Sequence, residues 1–341
     1  MRDPRTKEFS YCYIYCADVI VRNDVDVGVP ARAKVGSSRD GDRLLLACSR
    51  MPFGLDVWSG RHVEIHMKKS KPKALLVTGG ASGIGAAVAR GAVARGHAVM
   101  IADINAEGAA ETAQAIGEGA SSVALDITSE QQWNRALDTA WKRFGRLDVL
   151  VNNAAIVHTG YARNVPVDAH QATMDVNAMG PIKGMLLALP RFLAQGSGHF
   201  VTVCSMTAFI PFPGLASYAA AKHALRAFHH ALAVEERSSP LAFSIVHPTS
   251  TETPMLEKEA RSDEVPLAFV SRSVTADFVA EVILNAMEKK TVEVFMPPDR
   301  AKFVRMLGTN PRSLRRLAEE GERVGAENLK ARRAGTSTAA E

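Results

Sequence analysis

The chain has 341 residues, 47% hydrophobic and 23% charged, enough for a core of one large or two ordinary domains. No apolar run approaches the roughly 18 residues of a membrane span, and residues 11–21, broken by Asp18, do not read as a secretory leader, so a cytoplasmic location is expected. Four cysteines make no disulfide framework, and the net charge of +5 is scattered, its densest group (312–333) interleaved with Glu319, Glu320 and Glu322, which argues against a nucleic-acid partner.

Before Met67 the hydrophobic residues keep no period of 2 or 3.6. Met67-Lys-Lys-Ser-Lys-Pro-Lys leads directly into a strand, as a translation start would, so residues 1–66 are expected to be an extension without a stable fold. Cys12 and Cys16, Cys48, and His62 and His66 have spacings that zinc permits. The long gap between the pairs and the missing periodic scaffold argue against a metal, and none is expected.

From Met67 to residue 298 short apolar runs alternate with helical patterns. The spacing predicts strands at 74–78, 98–103, 122–126, 148–152, 199–205, 242–246 and 292–296. Between them it predicts helices at 84–95, 106–116, 130–144, 169–193, 217–236 and 275–289. Such an order specifies an α/β domain, a doubly wound parallel seven-stranded sheet of the Rossmann type. Ligands in such sheets sit beyond the carboxyl ends of the strands, which directs attention there.

The first strand ends in Thr78-Gly-Gly-Ala-Ser-Gly-Ile-Gly85 and opens a helix. Glycines at 79, 83 and 85 allow a tight turn and close approach of a pyrophosphate, which the helix N-terminus would hold. The second strand ends in Asp103, placed to accept hydrogen bonds from both hydroxyls of an adenosine ribose and to repel a 2′-phosphate. Neither Ser82, Ile104 nor Asn105 offers a cation to a phosphate, so NAD is the expected cofactor. Asp126-Ile127 and Asn152-Asn-Ala-Ala155 fall at the next two strand ends, where they either line the adenosine or cap the following element.

After the fifth strand come Ser205 and then Tyr218-Ala-Ala-Ala-Lys222. Four residues apart on a helix, Tyr218 and Lys222 share a face. A nearby ammonium favours phenolate, so Tyr218 can exchange a proton with a substrate oxygen while hydride moves between the substrate carbon and the nicotinamide.

With these residues in place the chain resembles the short-chain dehydrogenase/reductase family over about residues 72–297. The matching positions are the 78–85 loop, Asp126, the 152–155 turn, Asn177, Ser205, Tyr218, Lys222, and Pro248 with Thr253. The resemblance implies that Ser205 orients the substrate oxygen, Tyr218 is the acid/base, and Lys222 holds the nicotinamide ribose. Asn177 would hold a water that continues a proton relay from Lys222. It assigns the cofactor to Thr78, Gly79, Ser82, Gly83, Ile84, Gly85, Asp103, Asp126, Ile127, Asn153, Ala154, Ala155, Tyr218, Lys222, Pro248, Thr251 and Thr253. It also implies a homodimer or homotetramer paired through the long helices holding Asn177 and Tyr218. Two positions depart from the family pattern: Thr249 follows Pro248 where glycine is usual, and Ala155 ends the 152–155 turn.

Ile156, His158, Met206, Phe209, Phe212, Leu215, Met255 and Leu256 are expected near the substrate, unless they simply pack the core. Apolar walls suit a lipophilic secondary alcohol or ketone of steroid, retinoid or long-chain type. Cys204 reads as a buried filler, and residues 252–270 resemble the family's substrate lid. Residues 299–341 read as a basic helical tail packed on the domain end, since no sustained apolar face suggests membrane contact. Two alternatives stay open, a 3-oxoacyl-thioester reductase, against which Asp103 argues, and a catalytically silent dinucleotide sensor, against which Tyr218 and Lys222 argue.

Overall fold

The computed structural model describes residues 33–37, 44–48 and 71–335. The chain divides into two units, 1–70 and 71–341. In the first, β1 (Ala33–Ser37) and β2 (Leu44–Cys48) pair antiparallel. Cys12, Cys16, His62, His66 and the side chain of Cys48 lie outside the described residues, as does the rest of the expected extension.

The second unit begins with β3 (Ala74–Thr78), α1 (Gly83–Ala94), β4 (Ala98–Asp103), α2 (Ala106–Ile116) and β5 (Ala120–Ala124). It continues with α3 (Glu130–Phe144), β6 (Val149–Asn152), α4 (Val167–Met174), α5 (Gly180–Gln195), β7 (Gly198–Val203), α6 (Ala216–Glu235) and β8 (Leu241–His247). The segment expected as the lid follows, made of β9 (Thr251–Glu252), α7 (Pro254–Glu259) and a short 3-10 turn, Pro266–Phe269. Then come β10 (Val274–Thr275), α8 (Ala276–Lys289), β11 (Glu293–Phe295), α9 (Arg300–Gly308) and α10 (Pro311–Arg333).

Seven strands form one parallel sheet in the order β11-β8-β7-β6-β3-β4-β5. The chain moves outward from β3 to β5, then returns to the other side of β3 as β6, and this reversal opens a crevice at the carboxyl ends. Alternate strand residues explain why both faces are covered. Leu75, Val77, Val99 and Ile101 pack against α1 and α8 through Val88, Ile283 and Leu284. Leu76, Met100 and Leu150 pack on the other face with Trp133, Met185 and Phe192. Each such side chain contributes about 1.5–3 kcal/mol by leaving water.

Two expectations change. The long helix expected at 169–193 is broken by a π turn at Asp175–Met179. Pro181 has no N–H for the carbonyl four residues back, and the Gly180 N–H reaches back five residues to Asp175. The tail also has the apolar face that its charges concealed. Leu314, Leu317, Ala318, Gly321, Val324, Gly325 and Leu329 recur at helical spacing along α10. Leu329 is buried with Ala260, Val265 and Phe269. Gly325 lies on the lid so closely that a Cβ there would come within 2.0 Å of the Pro266 carbonyl oxygen. Arg332 grips both Glu252 oxygens at 2.8 and 2.6 Å and reaches Glu257 at 2.5 Å. These contacts hold α10 on the lid, over the carboxyl end of the sheet.

Candidate active site

The turn after β3 is bare backbone because side chains do not fit. Gly79 (φ +67) and Gly83 (φ +53) are left-handed. A Cβ on Gly79 would lie 2.7 Å from the Ala154 Cα, and one on Gly85 would lie 2.1 Å from the Gly79 carbonyl oxygen. Ser82 precedes α1 without capping it through its side chain, which leaves first-turn N–H groups and the positive helix end for an anion. At the end of β4 the Asp103 carboxylate accepts from the Ala81 N–H at 3.0 Å and the Asn105 N–H at 2.9 Å. A turn too tight for side chains, with an oriented carboxylate beside it, fits the pyrophosphate and ribose of a dinucleotide.

Of the expected cofactor residues, fifteen line one cavity of about 1020 Å³: Gly79, Ser82, Gly83, Ile84, Asp103, Asp126, Ile127, Asn153, Ala154, Ala155, Tyr218, Lys222, Pro248, Thr251 and Thr253. Thr78 and Gly85 are not on its wall. They support it instead. The Thr78 hydroxyl accepts from the N–H groups of Asn153 (3.0 Å) and Ala154 (3.1 Å) and donates to the Val151 carbonyl (3.3 Å), fixing the two central turns to each other. Asp126 also carries a local load, since its Oδ1 accepts from both the N–H and the hydroxyl of Thr128.

Ser205, Tyr218 and Lys222 meet on the same wall. Ser205 Oγ accepts from the Thr207 N–H at 3.1 Å, which leaves its own proton to donate into the cavity. Lys222 is 2% exposed and donates to the Val203 carbonyl at 3.0 Å, its Nζ 5.6 Å from the Tyr218 ring centroid. The expected lowering of the tyrosine pKa by Lys222 is reversed by burial. Burial pushes the phenol well above its ordinary range, the Glu259 carboxyl pushes the same way, and the Ser205 side chain pulls back. Burial also pulls the Lys222 ammonium down.

Asn177 is the member not brought to the cavity. Fully buried in the π turn, its amide accepts from the Ile156 N–H and donates to the Ile156 carbonyl, both at 2.8 Å. Its side chain braces the loop after β6. Pro181 supplies no N–H to the main-chain carbonyl of Asn177, so that group lacks its ordinary helical donor.

Residues 73–264 match the family model described as short chain dehydrogenase. The chain belongs to the short-chain dehydrogenase/reductase family. This places it among oxidoreductases that act on CH–OH groups with a nucleotide-binding Rossmann sheet. It is 31% identical over 265 residues to the uncharacterized oxidoreductase YxnA of Bacillus subtilis, covering 75% of this chain and 74% of that one. It is 33% identical over 221 residues to 2-(R)-hydroxypropyl-CoM dehydrogenase of Xanthobacter autotrophicus, covering 61% and 88%. Among solved structures it resembles 3-ketoacyl-(acyl-carrier-protein) reductase from Brucella melitensis complexed with NADH. That match has a TM-score of 0.60 at 29% identity and covers 65% of this chain and 95% of that one.

On the substrate side of this short-chain dehydrogenase, Ile156, Met206, Phe212, Leu215, Met255 and Leu256 line the cavity as expected. His158 and Phe209 do not. His158 Nδ1 pairs with the Thr173 hydroxyl at 2.9 Å, and Phe209 packs edge-on against His247 beneath the Arg226 guanidinium. Cys204 is a buried filler whose thiol burial pushes up to about 11.

Two contributors escaped the sequence reading. The outer wall comes from α9 and α10 through Val304, Leu307, Leu314, Leu317 and Val324, beyond the segment matched by the family model. Glu259 on the lid also faces the cavity. The spacing of the α10 apolar residues was a usable signal, masked by surrounding Arg and Glu. Nothing local marked Glu259.

Among the described residues no helix is long and apolar enough to cross a membrane.

Proposed function

We propose that the chain is an NAD-linked dehydrogenase or reductase of a lipophilic secondary alcohol or ketone. One observation carries the reading: Ser205, Tyr218 and Lys222 share an apolar cavity with the glycine turn and Asp103. The chemistry that bound NAD supplies is hydride exchange with the substrate carbon. The chain's own residues do the rest. Ser205 donates to the substrate oxygen, and Tyr218 gives that oxygen its proton in reduction or takes it in oxidation. Lys222 lies buried beside Tyr218, and Asp103 accepts from the ribose hydroxyls. The lid and α10 keep water from the reacting end.

NAD over NADP rests on Asp103, whose charge opposes a 2′-phosphate. The similar reductase from Brucella melitensis is complexed with NADH, which supports the same choice. A lipophilic substrate is supported by the walls that Met206, Phe212, Leu215, Leu307, Leu314 and Val324 provide. The family's homodimer or homotetramer is supported by Met179 in the π turn and Leu186 and Leu193 in α5, which are 45%, 49% and 40% exposed and seven residues apart. Light scattering should give a dimer or tetramer, and a monomer at micromolar concentration would refute it.

The test is direct. Purified protein is mixed with NAD or NADP and a panel of steroids, retinoids and long-chain secondary alcohols, with acetoacetyl-CoA and NADH as the thioester arm. Formation of reduced cofactor with NAD and an apolar alcohol is expected. Turnover of the thioester alone would favour the 3-oxoacyl reductase, and dinucleotide binding with no turnover would favour a sensor.

A further inference from the structure

The lid carries five acids between residues 252 and 264, and four of them have partners. Glu252 and Glu257 are held by Arg332, and Asp263 by Arg333 at 2.6 Å. Glu264 accepts from the Tyr161 N–H at 2.6 Å and from the Asn164 amide. Glu259 differs. It is 9% exposed, it lines the cavity beside Met255 and Leu256, and its charge reaches Tyr218. No hydrogen bond or ion pair joins its side chain to any described residue.

No protein group compensates this carboxyl on the cavity wall, where leucine or methionine would suit the neighbours. Burial pushes it up to about 7, so near neutral pH it both donates and accepts hydrogen bonds. A cationic ligand group is disfavoured, because Lys222 and Lys258 line the same cavity.

Resting on the reading above, we propose that Glu259 hydrogen-bonds a second oxygen of the substrate close to the reacting carbon. The preferred substrates are then vicinal diols and hydroxyketones on an apolar body, rather than simple alcohols of the same shape. Tyr218 and Ser205 take the reacting oxygen and Glu259 takes its neighbour.

The experiment uses two matched pairs, cyclohexanol with trans-1,2-cyclohexanediol and 2-decanol with 2,3-decanediol. Turnover is read as the ratio of diol to monoalcohol kcat/KM with NAD. Binding is read separately by calorimetry on Tyr218→Phe protein loaded with NAD. The wild-type ratio should exceed about ten in at least one pair. Glu259→Leu should bring it at least tenfold lower, while Glu259→Gln, still able to donate and accept, should keep most of it. Any general effect of the lost charge on Tyr218 cancels in the ratio. The proposal is overturned by a ratio unchanged in Glu259→Leu, or by wild-type protein that neither turns over nor binds either diol. Those results leave the dehydrogenase reading standing wherever the apolar alcohol panel gives NAD-linked turnover, and that reading falls only if the panel too is inert.

Discussion

The nucleotide side and the substrate side of the cavity are built on different principles. On the nucleotide side the backbone makes the shape. Thr78 and Asn153 bond the β3 turn to the β6 turn, and Gly79 and Gly85 leave no space for a side chain. On the substrate side, side chains distant in sequence make it. Arg332 reaches Glu252 across 80 positions, and the Asn328 amide donates to the Phe269 carbonyl across 59. A dinucleotide presents one shape, so a fixed backbone cradle suits it. A substrate wall of exchangeable apolar side chains can be altered residue by residue without disturbing that cradle.

The largest expected effect tests the chemistry where the two sides meet. Tyr218→Phe removes the phenolic proton and should lower kcat by roughly two to four orders of magnitude. NADH affinity, followed by fluorescence, should change little, because the glycine turn and Asp103 are untouched. Loss of cofactor binding instead would mean that the tyrosine belongs to the cradle. Since its surroundings raise the Tyr218 phenol, alcohol oxidation should also accelerate as pH rises towards the alkaline range, while ketone reduction slows. A pH–rate profile in both directions checks this sign.

Next, Gly85→Ala attacks the cradle alone. A Cβ placed 2.1 Å from the Gly79 carbonyl oxygen forces the turn to move. Overpacking of this kind costs about 1–3 kcal/mol. NADH affinity should fall at least tenfold, with a lowered denaturation midpoint.

What the sequence disclosed follows the same division. The cradle was legible because glycine spacing, Asp103 and the Tyr218–Lys222 pair encode their purpose within a few residues. The succession of strands and helices followed from alternating apolar runs, although β5 begins and ends two residues earlier than expected, at the sheet edge. Asn177 was found, but the use of its amide was not, because that depends on Ile156 in another element. The α10 wall and Glu259 stayed hidden for the reason that the substrate side is tertiary. An Arg-rich helix looks solvated until the lid lies under it, and one lid acid looks like the next until four of the five find partners.

Glu259→Gln sharpens the contrast through stability. Its carboxyl is raised from the ordinary 4.5 to about 7 by burial. A raised carboxyl contributes stability that is complete below the unfolded pKa and is lost as pH climbs through the folded one. The wild type should therefore lose up to about 3 kcal/mol between pH 4.5 and pH 8 from this group. Glutamine cannot ionise, so the Tm of the variant relative to wild type should climb over that window. A constant difference from pH 5 to pH 8 would mean that the carboxylate is solvated or paired in solution.

The smallest effect falls on the clamp. Arg332→Ala removes a fork that holds Glu252 and Glu257 with partial exposure, 21% against 26% and 58%. Screening by solvent limits the global loss to about 1 kcal/mol. Its functional consequence should be one-sided. With α10 loosened from the lid, KM for an apolar alcohol should rise several-fold while NADH affinity stays within twofold, because the hydrogen bonds of Arg332 go to Glu252 and Glu257 and not to the glycine turn, Asp103 or the 152–155 turn. Hydrogen exchange should speed up in α10 and in Pro266–Phe269 and remain unchanged in α1 and at the 152–155 turn. If cofactor affinity and KM worsened together, the two sides would be mechanically coupled, and the division between backbone cradle and side-chain wall would not hold.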